Sequence, residues 1–184
     1  MKKILVSSIF ASTVLLGISS TSAQAEEVNI SSQHQQVIDN YINDNLSEEE
    51  MEKLDNTLDF GLSADDQEIG PQFVTHAARG TAKAIGVRSG SKYIVSALAE
   101  THRLKFGWTV TATSELSKYN NGNHTYKVKG STGSALAGKK ASSSVNRNMS
   151  LSSKGESYWA KGIHTAAYGG QIDSGVTGDI TYLR

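Results

Sequence analysis

The sequence predicts an α+β fold, with short N-terminal helices and a helical hairpin followed by an antiparallel β-sandwich or small barrel of about five to six strands. Three observations carry that prediction. Apolar residues recur at helical spacing as far as residue 105, the period changes to two from Phe106 onward, and clusters of glycine and asparagine interrupt the second pattern at short intervals.

Residues 1–25 have the three zones of a secretory signal. Lys2 and Lys3 give the positive end, residues 4–18 are uncharged and mostly apolar, and Ala23-Gln24-Ala25 offers the small-x-small pattern of a signal-peptidase site. Ser7, Ser8, Ser12 and Thr13 break the apolar run, which is short for a membrane span of about 20 residues. Nothing after Ile18 is apolar for long enough to cross a bilayer as a helix, so a secreted, extracellular product is expected. The chain has no cysteine. Disulfides, thiolate metal sites and cysteine nucleophiles are excluded together, and an exported domain of this kind depends on a packed core.

Two short helices are predicted within residues 33–60. Val37, Ile38, Tyr41, Ile42 and Leu46 recur at helical spacing, and Ser47 with Glu50 forms a capping box ahead of Met51, Leu54 and Leu58. Glu48, Glu49 and Glu50 fall in the first turn of the second helix, where the positive end of the helix dipole favours carboxylates. The apolar stripe is narrow, so the segment needs a surface to lie on. A linker is expected at residues 61–71, which hold Asp65, Asp66, Glu68, Gly70 and the single proline, Pro71.

The helical hairpin is placed at residues 74–105. Val74, Ala78, Ala82 and Ile85 fit one helical face; Ile94, Leu98 and Thr101, with Ala97 and Leu104 beside them, fit another; Gly86, Arg88, Ser89 and Gly90 would turn the chain between them. Beyond residue 105 the rows alternate. Trp108, Val110 and Ala112 oppose Thr109, Thr111 and Thr113; Tyr126 and Val128 oppose Lys127 and Lys129; Val145, Met149 and Leu151 share a face; Tyr158, Ala160, His164, Ala166 and Tyr168 form a long row; Ile180 and Tyr182 close the chain.

Charge divides the chain sharply although its formal net charge is zero. Residues 26–70 carry thirteen Asp or Glu against Lys53 alone, a net charge of −12, whereas residues 71–184 carry fifteen Lys or Arg against five acids, a net charge of +10. The organisation expected is a signal peptide at 1–25, an acidic helical pro-like segment and linker at 26–70, and a basic α+β domain at 71–184, helical over 74–105 and β over 106–184. Segregated charge of this size indicates either a charged partner or one segment masking the other.

The catalytic motifs are weak. Residues 133–140 approach a phosphate-binding loop, but Lys140 stands where a hydroxyl is needed and the preceding strand alternates. Ser89-Gly90-Ser91-Lys92 fits a serine acyl-transfer pattern without its companion elements, and Ser91 reads instead as a helix start. His34, His76, His102, His124 and His164 form no zinc motif; His164 is expected to be a hydrogen-bonded structural histidine, and Glu100 and His102 would not face each other on a helix.

What remains is distributed over a surface. Lysines over an anionic polymer release counterions, and aromatics beside them stack on rings or enter a lipid interface. The expectation is therefore a secreted bacterial cationic protein, not an enzyme, that binds an anionic cell-wall polymer or membrane surface in the manner of a bacteriocin or toxin-like precursor masked by its own acidic segment. Lys127, Lys129, Lys139, Lys140, Trp159 and Lys161 are the candidate envelope-binding residues. No catalytic residue, cofactor, metal or nucleic-acid partner is expected. One alternative is a secreted β-sandwich adhesion or carbohydrate-binding module; the other, ranked last, is an extracellular hydrolase, which would need a clustered histidine and carboxylate site and would gain support from His102, Glu100 and a serine assembled in one cleft.

Overall fold

The computed structural model describes residues 32–62, 76–135 and 139–184. The predicted export signal and most of the predicted linker lie outside them. Two helices come first, α1 (Ser32–Asn43) and α2 (Glu48–Glu52). The described residues then form nine strands: β1 (Thr57–Leu62), β2 (His76–Ser89), β3 (Lys92–Arg103), β4 (Thr109–Asn120), β5 (Asn123–Lys129), β6 (Gly133–Ala135), β7 (Lys140–Ser150), β8 (Ser157–Tyr168) and β9 (Gln171–Tyr182). One sheet runs β1-β2-β3-β7; the other runs β5-β4-β8-β9, with β6 beside β4. All pairings are antiparallel. The sheets stack as an open sandwich, β2 and β3 lying over β4, β8 and β9, and do not close into a barrel.

The α+β expectation is corrected here, because the helical hairpin predicted at 74–105 is a β-hairpin. β2 and β3 pair from Ala78↔Arg103 to Ser89↔Lys92 and turn at Gly90, whose φ of +60° suits glycine. Tyr93, Val95, Ala97, Ala99 and Thr101 form one buried row, and Ile94, Ser96, Leu98, Glu100 and His102 lie on the opposite, half-exposed face. The helical spacing of Ile94, Leu98 and Thr101 therefore joins residues from two faces of a strand. Alanine has the highest intrinsic helix propensity, yet here it is selected for size. The inward row of β2 is Ala78, Gly80, Ala82, Ala84 and Gly86; a Cβ at Gly80 would stand 2.5 Å from the His164 ring, and one at Gly86 would stand 2.7 Å from a Leu183 methyl carbon. Tertiary closeness overrides local propensity along the whole hairpin.

α2 also ends earlier than the apolar spacing suggests. Its capping box is present, with Ser47 Oγ accepting from the Glu50 backbone N–H and the Glu50 carboxylate accepting from the Ser47 N–H. Leu58, however, belongs to β1, which pairs with β2 from Thr57↔Thr81 to Leu62↔His76. The acidic stretch thus supplies an edge strand to the first sheet. Inside the sandwich, one cluster gathers Phe60, Trp108, Val110 and small alanines, and a second gathers Tyr93, Val95, Leu116, Tyr158 and Leu183. Their burial is the main stabilising contribution, about 1.5–3 kcal/mol for each large side chain.

Candidate functional site

On β8, Tyr158, Ala160 and His164 point into the sandwich, so Trp159 and Lys161 point away from it. In a two-layer fold such outward residues meet water. Instead Trp159 is 3% and Lys161 2% exposed. α1 packs on β8 and β9, and α2 on β9, so the acidic segment lies as a strap across this outer face.

The strap is held chiefly at the C-terminal end of α1, where backbone carbonyls lack helical partners and carry the negative end of the dipole. Lys161 Nζ donates to the carbonyls of Tyr41 (2.5 Å) and Asp44 (3.1 Å). Lys127 Nζ donates to the carbonyl of Ile42 (2.8 Å) and to Asn45 Oδ1 (3.2 Å). Just beyond, the Leu46 carbonyl accepts from Tyr119 Oη (2.7 Å) and lies 3.0 Å from His124 Nε2. Apolar anchors add to this grip. Ile38 is fully buried, and Met51 packs with Trp159 and Tyr119, whose rings meet edge to face at 6.2 Å.

Glu115 balances the two lysines. It lies directly across from Lys161 on β4, is 2% exposed, and its Oε2 is 3.3 Å from Lys127 Nζ. That contact is an ion pair without hydrogen-bond geometry; the same oxygen and Trp159 Nε1 are buried without a hydrogen-bond partner. Burial lowers the Lys161 pKa, partly offset by Glu115, while the Lys127 charge lowers it further. Burial likewise lowers His124, and burial with the Glu115 charge pushes the Tyr119 phenol up to about 12.

Of the six residues predicted for envelope binding, Lys127, Trp159 and Lys161 meet under the strap. Lys129 lies at its rim, 4.0 Å from Asp39. Lys139 and Lys140 are elsewhere: both are exposed, Lys140 opens β7 on the other sheet, and its Nζ is 2.7 Å from Glu100. Sequence reasoning missed Glu115, Tyr119 and His124. Glu115 carried a usable signal, as a carboxylate at an outward position of a strand otherwise lined there by Thr111, Thr113 and Ser117. His124 carried none, because it reaches Tyr119 only through an irregular register between β4 and β5.

Charge complementarity in the strap is narrower than the composition suggests. Among the described residues, only Asp39 with Lys129 and Asp59 with Arg79 join an acid of residues 26–70 to a cation of residues 71–184. Other strap acids serve the strap itself, as in the Lys53–Glu49 pair and the capping box.

Two further clusters bear on catalysis. His164 is fully buried between the sheets. Thr101 Oγ1 donates to the Thr111 carbonyl, so His164 Nδ1 must be the donor in its 2.8 Å contact with Thr101, and Nε2 accepts from Thr177 Oγ1 at 2.7 Å. Burial lowers its pKa to about 3, which makes it a neutral structural group. Because β3 is a strand, His102 and Glu100 share a face after all, with Nε2 3.4 Å from Oε2. Lys140 binds the same carboxylate and, as the foremost cause, holds its pKa below the usual range. The Ser89-Gly90-Ser91-Lys92 run is the β2–β3 turn rather than a helix start. No cluster of three or more histidine or carboxylate ligands occurs among the described residues.

No protein-family model and no curated protein matches this chain. A crystal structure described only as a protein from Archaeoglobus fulgidus is similar at 13% identity and a TM-score of 0.30, over 56% of this chain and 96% of that one. A likeness at that level carries no argument about function. Among the described residues no helix is long and apolar enough to cross a membrane.

Proposed function

We propose that this is a secreted bacterial cationic protein that binds an anionic cell envelope, and that its acidic N-terminal segment covers the binding face until it is displaced. The observation that supports this reading is the use of Lys127 and Lys161 as donors to the end of α1, over Trp159. A helix C-terminus is a weak, partial negative charge. A polyanion offers the same donors full charges and gains counterion release besides. Displacement would also present Trp159 and Tyr119 to an interface, where aromatic rings with a polar tip are favoured.

The test is binding of the full-length chain to teichoic-acid-bearing cell walls at graded salt. It compares the intact strap with Ile38→Asp and Met51→Asp, which place a charge under each helix. Strap release should strengthen binding and steepen its loss with salt; a subsequent Lys127→Gln/Lys161→Gln change should remove that gain. Equal binding by the intact and released forms would count against masking. Binding indifferent to salt in both would count against an anionic target.

A further inference from the structure

A second cationic surface lies away from Lys127 and Lys161, at the end of the sandwich formed by the β2–β3 turn, the close of β7 and the close of β9. A hollow of about 350 Å³ there is lined by Gly86, Arg88, Tyr93, Ile180, Thr181, Tyr182 and Arg184. Tyr93 Oη donates to the Arg184 carbonyl at 2.9 Å, which fixes the end of the chain beside the hairpin. Lys92 pairs with Ser150 just before the 3₁₀ turn Leu151–Ser153, and the Gly155 N–H donates to the Leu183 carbonyl, which brings Lys154 to the same end. Arg88, Lys92, Lys154 and Arg184 are exposed and have no ion-pair partner among the described residues. The nearby acid, Glu156, is occupied by Lys118 at 2.6 Å. Three exposed apolar side chains flank this end: Val87 (49%) on the outer face of the first sheet, Tyr182 (55%) on the outer face of the second, and Leu151 (39%) at the start of the 3₁₀ turn.

The geometry points to a peripheral docking surface for an anionic phospholipid bilayer, with the hollow between Arg88 and Arg184 receiving a phosphate-bearing headgroup. Two guanidinium groups give forked donors suited to phosphate oxygens. Tyr182 adds a ring and a hydroxyl of the kind that settles at headgroup level. Val87 and Leu151 reach the acyl boundary while Lys92 and Lys154 remain among the headgroups. The occupant is argued from charge: Arg88, Lys92, Lys154 and Arg184 outnumber the backbone carboxylate that Arg184 carries at the end of the chain, Glu156 being taken by Lys118, and this excess of positive charge on one end calls for a surface of fixed negative charge. Contact is shallow, since the turn is short and its tip is Ser89-Gly90-Ser91. The inference rests on the anionic-envelope reading for the sign of the partner, but the cations it uses are not those gripped by the strap, and of the lining residues Ile180 packs on the strap's Met51 and Trp159 cluster, so the two tests fail separately.

Co-sedimentation of the full-length chain with phosphatidylcholine vesicles, with and without phosphatidylglycerol, provides the measurement. Binding is expected only where phosphatidylglycerol is present and should fall as salt rises. Arg88→Gln with Arg184→Gln should lower the partition coefficient roughly 25-fold, about fivefold for each cation, and the two Lys replacements should restore most of it. Val87→Ser should weaken binding without changing its salt dependence. Unaltered binding by the double Gln variant would overturn the site, as would equal binding to phosphatidylcholine alone. Complete competition by millimolar sn-glycerol 3-phosphate would overturn the lipid assignment in favour of a free phosphate ester.

Discussion

Acid sensitivity traceable to His164 is the prediction that the structure fixes most tightly. In the folded protein the ring is fully buried, both nitrogens are used by Thr101 and Thr177, and its pKa falls to about 3. In the unfolded chain an ordinary histidine titrates near 6.5. A base with a depressed folded pKa binds more protons when unfolded, so stability is intact above about pH 6.5 and declines as pH falls toward 3. Each full pH unit inside that window costs about 1.4 kcal/mol, and the step from pH 7 to pH 5 costs about 2 kcal/mol once partial titration near 6.5 is included. Urea denaturation of the wild type and of His164→Gln at both pH values measures it. Carboxylates held low by their partners, such as Asp59 and Glu100, lose their contribution only when pH falls below their unfolded values near 4. His124, also lowered by burial, adds a smaller change of the same sign to both proteins. The wild type should lose about 2 kcal/mol more than the variant between pH 7 and pH 5. Parallel profiles for the two would refute the assignment of a neutral, desolvated His164.

Gly80→Ala should destabilise the fold by about 1–3 kcal/mol through overpacking, since its Cβ would stand 2.5 Å from the His164 ring; thermal unfolding reads this, and an unchanged midpoint would mean the sheets are farther apart here. Lys161→Met should remove the ammonium that donates to two carbonyls at the end of α1. Hydrogen exchange at residues 36–44 should then quicken roughly 10- to 100-fold while β4 and β8 amides keep their protection. Uniform loss of protection across both regions would show that strap and sandwich open together.

The strands after residue 106 were legible because alternate positions face the space between the sheets and are written as apolar residues, as in Trp108, Val110 and Ala112. The turns were legible for a different reason. Asn121 and Gly122, at φ 53° and 78°, and Gly169 and Gly170, at 57° and 87°, are residue types that accept the left-handed conformation two-residue hairpins demand. The β2–β3 hairpin was misread because the inward residues of β2 are all alanine and glycine, and β3 adds Ala97 and Ala99; their hydrophobic signal is faint and their helix propensities mislead in opposite directions. Its true period becomes visible only once His164 and Leu183 are known to lie opposite. At the candidate site, lysine and tryptophan drew attention by chemistry. What Lys127 and Lys161 grip is backbone, which no side-chain pattern announces. Among the described residues, ionic contacts between the segments are accordingly few, and the grip runs through backbone carbonyls instead.

Lysine acylation read by mass spectrometry tests the central claim, a cationic face closed by the strap, most directly. In the intact protein Lys161 should resist modification while Lys139, Lys92 and Lys154 react at once, and Met51→Asp should make Lys161 and Lys127 reactive together without altering the others. Should Lys161 react as quickly as Lys139 in the intact protein, the strap does not cover this face in solution and the masking account fails.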